Sequence, residues 1–234
     1  MKLQDRVPTG IQGFDTLIEG GLPMGSLVVL AGNAGSGKTT FAAEYAYRGA
    51  ARFNQKVIYV SFAEGRDTFY DNMLRLGMNF ASIEKAGKLR FHDMMAITLK
   101  SIGGAIQDIL HEIRTFRAAR LVVDPFSAIA HLAKENEDPR EILRMFLTKE
   151  ARSVGCTSIM ITEIPSGQEA IGMGYEEFVS DGIIVLYYPR RGSARIRGIE
   201  VRKMRKTNHL QKTVPFEITS NGIVVHPESE LLLE

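Results

Sequence analysis

The run Gly32-Asn-Ala-Gly-Ser-Gly37-Lys38-Thr39-Thr40 limits what this chain can become more than any other stretch. It fits G-x-x-x-x-G-K-[ST] and lies between an apolar strand candidate, Ser26–Ala31, and a helical stretch opening at Phe41. Glycines there let the backbone wrap a polyphosphate with successive N–H groups facing its oxygens. The helix that starts near Gly37 offers unsatisfied amides and a partial positive charge to the same anion. Gly32, Asn33, Ala34, Gly35, Ser36, Gly37, Lys38, Thr39 and Thr40 are thus the expected phosphate cradle. Lys38 is placed to neutralise the β- and γ-phosphates, and the Thr39 hydroxyl to ligate Mg²⁺. The motif implies a nucleotide-binding protein.

A chain of 234 residues at 44% hydrophobic supports one sizeable α/β domain over residues 1–234. Within it, 1–25 reads as an N-terminal segment, 26–186 as a parallel α/β core, and 187–234 as antiparallel hairpins. The apolar runs are too short to cross a bilayer, and the first residues lack an apolar export region, so a cytoplasmic location is expected. The single cysteine, Cys156, fits a reducing compartment and reads as core packing. The scattered histidines have no paired metal spacing.

Strands and helices alternate along the chain. Strand candidates are Leu27–Ala31, Lys56–Phe62, Leu89–His92, Arg120–Asp124, Thr157–Thr162 and Gly182–Leu186, short and apolar as strands covered on both faces are. Helices are expected over Thr39–Arg52, Arg66–Leu76, Ile102–Phe116 and Pro139–Val154. The repeated units argue for a parallel sheet with right-handed crossovers. Ala194–Met204 then alternates in period two, and Thr213–Thr219 and Gly222–His226 flank Asn221-Gly222, a strong hairpin signal. Ile164–Tyr175 reads as a long loop after a core strand.

Further residues narrow the chemistry. Arg120-Leu-Val-Val-Asp124 resembles a Walker B strand, whose terminal carboxylate orders the Mg²⁺ shell. Glu64, placed at the end of the strand after the P-loop helix, is suited to polarising a water for attack on the γ-phosphorus; the bland alternative is a surface pair with Arg66. Thr162-Glu163 ends the strand after Asp124, and the role of Glu163 stays open. Between Arg190 and Lys212 nine basic residues face Glu200 alone, although the net charge is only +2. Such a block is either a solvated surface or an anion-binding one.

Together, Thr9-Gly-Ile-Gln-Gly-Phe-Asp15, Gly20-Gly-Leu-Pro-Met-Gly25, the P-loop, Glu177-Phe-Val-Ser-Asp181-Gly and Val201-Arg-Lys203-Met-Arg205-Lys-Thr207-Asn-His209 resemble KaiC-like ATPases of the RecA/RadA superfamily, over about Val7 to Pro227. The resemblance implies a RecA-like P-loop fold, ATP and Mg²⁺ as cofactors, and ATP bound between neighbours in a homo-oligomeric, hexameric ring. It carries over Lys38 and Thr39 as phosphate and Mg²⁺ ligands, Asp124 as the Walker B metal residue and Glu64 as the water-activating base. Lys203 and Arg205 resemble cations that reach the γ-phosphate of the adjacent subunit, and alternate positions on a strand point to one side. Departures are Ala63 where relatives often have a second glutamate, Pro125 after Asp124, and Lys206 where Lys-Met-Arg-Gly is common. Ala63 leaves room for slow hydrolysis or a near-inactive ATP-binding scaffold. The leading output reading is a RadA paralogue acting on single-stranded DNA in recombination or repair; the alternative is a regulatory switch that recruits a protein partner, with weak or no hydrolysis.

Overall fold

In the computed structural model, residues 6–96, 102–128, 154–164, 171 and 176–232 are described. The expected helix Pro139–Val154 and most of the loop Ile164–Tyr175 lie outside them. A nine-stranded sheet has the order β13-β12-β11-β8-β3-β7-β6-β4-β5. Its strands are β3 (Leu27–Gly32), β4 (Val57–Ser61), β5 (Leu89–Asp93), β6 (Arg120–Asp124), β7 (Thr157–Glu163), β8 (Gly182–Tyr187), β11 (Arg197–Met204), β12 (Val214–Thr219) and β13 (Gly222–Val225). The pairings from β8 through β5 are parallel, and those from β8 outward to β13 are antiparallel. Among the described residues two small ribbons stand apart from this sheet: β1 (Arg6–Val7) with β2 (Leu22–Pro23), and β9 (Arg190–Arg191) with β10 (Ala194–Arg195). The mostly parallel sheet with antiparallel C-terminal strands agrees with the expected fold class.

The strand sequences explain the layers. In β4, Val57 and Tyr59 join one apolar cluster while Ile58 and Val60 join another, so each face is buried in turn. Helix α1 (Lys38–Phe53) covers the first face with Phe41, Ala42, Tyr45 and Ala46; α4 (Ile102–Thr115) covers the second with Ile106, Ile109, Leu110 and Ile113. Burying each large aliphatic or aromatic side chain contributes about 1.5–3 kcal/mol, so these two layers set the stability. The β3–α1–β4 crossover skips β7 and β6, which carries the sequence from the phosphate loop to the far half of the sheet.

One buried charge locks this arrangement. Arg120, fully buried at the amino end of β6, donates to the carbonyls of Tyr45 (2.6 Å) and Pro8 (2.7 Å) and to the Gln55 side-chain oxygen (2.6 Å). Its guanidinium lies 4.3 Å from the Tyr45 ring centre. Only glycine fits at position 49 on α1, since a Cβ there would lie 2.4 Å from Arg120 Nε. The chain start, α1 and β6 are therefore joined at one point.

The structure adds elements beyond the sequence reading. Helix α2 (Arg66–Leu74) is followed by a short α3 (Phe80–Lys85), whose N-cap Asn79 accepts from the Ser82 N–H at 3.0 Å. The expected strand Ala194–Met204 divides into β10 and β11, with a register shift between Val201 and Lys203. Cys156 is buried, and desolvation pushes its thiol up to about 12, so it behaves as an inert packing group.

Candidate functional site

Parallel register brings four segments to one edge of the sheet. Gly32 pairs with Glu163, and Ser61 pairs with Asp124, so the carboxyl ends of β3, β7, β4 and β6 line up. Open α/β sheets place ligands outside those ends. The loop after β3 turns through Gly35 and then Gly37, whose φ of +102° is a glycine conformation, before α1 begins at Lys38. The Asn33 side-chain amide donates to the Ile164 carbonyl at 2.9 Å, and Ser36 Oγ donates to the Asn33 carbonyl at 2.8 Å. The first bond ties the loop to the end of β7, and the second closes the loop on itself.

Lys38 curls over that loop, its Nζ donating to the carbonyls of Gly32 and Asn33 at 2.9 Å each. Burial pushes its pKa below the ordinary lysine range, while Glu163 and Asp124 push it back up. The ammonium thus stands among two carboxylates and the carbonyls of the turn. Thr39, in the first turn of α1, reaches the Asp124 carboxylate with its hydroxyl. Burial raises the pKa of Asp124; hydrogen bonds from Thr39 and Tyr59 lower it, and Glu64 raises it.

Glu64 is not on the strand, which ends at Ser61. It sits in the following turn, whose shape is held by Ser61 Oγ donating to the Glu64 carbonyl at 2.6 Å. Its carboxylate accepts from Asn72 Nδ2 at 3.1 Å. Arg66 pairs instead with Glu84 at 3.1 Å and donates to the Phe91 carbonyl, so the surface pair weighed for Glu64 is not the one formed. The Glu64 carboxylate stands near enough to Asp124 to help raise the Asp124 pKa.

Lys203 and Arg205 lie elsewhere. β11 runs antiparallel to β8, so Met204 pairs with Gly182 at the amino end of β8, beside the amino end of β3. Lys203 Nζ donates to the Ser180 carbonyl at 2.9 Å, and Arg205 lies 3.5 Å from Asp181 Oδ1. A strand of this length spans roughly 20 Å, so these cations stand across the sheet from the Lys38 of their own chain. Arg205 follows the end of β11, and the register shift lies before the pair, between Val201 and Lys203.

The basic block divides accordingly. Arg190, Arg191 and Arg195 are exposed on the β9–β10 ribbon at the loop end of the sheet. Arg195 and Arg197 lie over Tyr188, at 5.5 and 4.4 Å from its ring centre. Arg197 also donates to the Gly35 carbonyl at 3.3 Å, a contact to the phosphate loop that no motif registers. Tyr59 is the second residue missed by motif reading, its hydroxyl donating to Asp124 Oδ2 at 3.0 Å.

A hydroxyl and a carboxylate brought together at the start of α1 form a hard-oxygen pair of the kind that suits Mg²⁺. With the loop amides and Lys38 alongside, the edge can bind a polyphosphate, and the Glu64 carboxylate, held by Asn72, stands close to Asp124.

A family model described as the KaiC ATPase matches residues 7–230. The chain is 33% identical over 231 residues to the circadian clock oscillator protein KaiC of Thermostichus vulcanus, which covers 95% of this chain and 44% of that protein. It is 33% identical over 241 residues to the circadian clock protein KaiC3 of Synechocystis, covering 98% of this chain and 47% of the relative. The chain spans under half the length of these curated relatives. A solved KaiC-like protein from the hyperthermophilic archaeon Pyrococcus horikoshii superposes with a TM-score of 0.83 at 37% identity, covering 95% of this chain and 99% of that one.

Proposed function

The chain belongs to the KaiC family of ATPases, with a RecA-like α/β fold, and from that premise we propose that it binds ATP at Gly32–Thr40 and hydrolyses the β–γ bond. The convergence of Lys38, Asp124 and Glu64 on the loop edge carries this reading. Lys38 neutralises the phosphates, and the amides of the loop and of the α1 start bind their oxygens. Thr39 and Asp124 would hold Mg²⁺, and the ion would supply charge neutralisation for the phosphates. Glu64, kept in place by Asn72, orients the attacking water and accepts its proton. With Ala63 in place of a second carboxylate, turnover is slow.

Lys203 and Arg205 complete the site of a neighbouring copy in a homo-oligomeric ring, which we take to be hexameric. Their position across the sheet from Lys38 supports a role between chains, because they cannot serve their own nucleotide. Cations supplied in trans make hydrolysis depend on assembly.

For the output we favour a regulatory switch that recruits a protein partner over single-stranded DNA. The basic residues are split between two edges, and Tyr188 is covered by Arg195 and Arg197 rather than open to stack a base. The relatives named as circadian clock proteins point the same way.

The test is ATP turnover with Mg²⁺ across a range of protein concentrations, repeated with Lys38→Ala. Specific activity should rise with concentration and fall by at least ~100-fold in the variant. Full activity without Lys38 would refute the assignment. Oligonucleotide binding that weakens steeply with salt would instead favour the DNA reading.

A further inference from the structure

We propose that Tyr59 is a positioning residue for the metal-bound nucleotide, fixing the Asp124 carboxylate so that it stays turned toward Thr39. The inference rests on the reading of Thr39 and Asp124 as the Mg²⁺-holding pair.

Tyr59 stands on β4 opposite Val122 of β6, and Asp124 stands two residues further on, opposite Ser61. Residues two apart share a strand face, and a phenol is long enough to reach the diagonal neighbour. The hydroxyl does so, donating to Asp124 Oδ2 at 3.0 Å, with both residues buried. The ring cannot swing away. Phe91 is stacked on it at 5.6 Å with an interplanar angle of 5°, Phe69 lies at 4.6 Å and Phe80 meets it edge-on at 6.3 Å. The phenol stays protonated, since burial raises its pKa well above the usual tyrosine range, so it is a permanent donor. A buried carboxylate held by one fixed donor loses the freedom to rotate, and its other contacts are directed at the start of α1. Outer partners of this kind orient the groups that hold a metal.

The experiment uses Tyr59→Phe in the full chain. The substitution keeps the ring and its packing and removes only the oxygen. Binding of a fluorescent ADP analogue is titrated against free Mg²⁺, and separately measured in chelator. The Mg²⁺ concentration at half-maximal enhancement should rise about tenfold in the variant, while affinity in chelator stays at the wild-type level. At saturating Mg²⁺ most of kcat should return, so the loss appears in the Mg²⁺ requirement. A wild-type midpoint in Tyr59→Phe, or equal losses with and without Mg²⁺, overturns the inference and leaves the nucleotide site standing. Wild-type protein that shows no Mg²⁺ enhancement at all removes the metal pair, and the inference with it.

Discussion

Glu44 lies in the second turn of the phosphate-loop helix, yet its carboxylate points away from the loop and into the C-terminal hairpin. It is 1% exposed and accepts from the Ile223 N–H at 2.6 Å and from Arg48 Nε at 3.1 Å. Desolvation raises its pKa above the ordinary glutamate value, and these bonds only partly oppose the rise. Folding therefore favours the protonated form. The stability this group contributes is full below the unfolded carboxylate range and declines as pH rises through its raised pKa. Glu44→Gln cannot titrate, so it lacks that decline. The stability gap, wild type minus variant, should therefore be most favourable to wild type at acid pH and shrink toward neutral pH, because only wild type has to ionise a buried carboxyl. Urea unfolding at a series of pH values measures it; a gap that widens with pH would contradict the burial argument.

At the scale of elements, the turn after β11 is held by the other end of the chain. Arg6 on β1 donates to the carbonyls of Ile18, Gly21 and Lys206, to Thr207 Oγ1 at 2.7 Å, and to Glu19. Lys206 sits there with φ +59°, a left-handed conformation that costs a side-chain-bearing residue about 1 kcal/mol. Glycine would relieve that strain but gain freedom when unfolded. Lys206→Gly should therefore stabilise the protein by a net ~0.5 kcal/mol, read from the denaturation midpoint. The elements themselves were largely readable beforehand. β6 has the bounds expected, β3, β5, β7 and β8 each run one residue further at the carboxyl end, and β4 is one residue shorter at each end, because apolar runs bounded by turns leave little choice. α3 escaped because six residues show no periodicity, although Asn79 and Ser82 are a cap signal in retrospect. The phosphate loop and Asp124 announce themselves through local spacing. Tyr59, Arg197 and Glu44 do not, since their partners lie 65, 162 and 179 residues away.

At the scale of the whole molecule, the sheet separates two sets of charges. The loop edge carries Lys38, Glu64 and Asp124, and the opposite edge carries Lys203 and Arg205. If copies serve one another, complementation follows. Arg205→Ala keeps its own loop intact but offers no arginine to a neighbour; Lys38→Ala has a dead loop but still offers one. Each alone should be nearly inactive, and mixing them after reassembly should raise ATP turnover several-fold above either. Activity in the mixture equal to the mean of the two would argue for sites complete within single chains.

The N-terminal segment also lies along the last strand: Gln12 bridges Val224 in parallel, and its carbonyl accepts from the Val225 N–H at 2.9 Å. That margin of the sheet is thereby sealed from within. The other margin, β5, presents Arg90, His92 and Asp93, side chains that discourage a foreign strand. Among the described residues the sheet offers no bare apolar pair of margins for copies of this chain to zip together. Growth by endless strand pairing is therefore disfavoured at both margins of the described sheet.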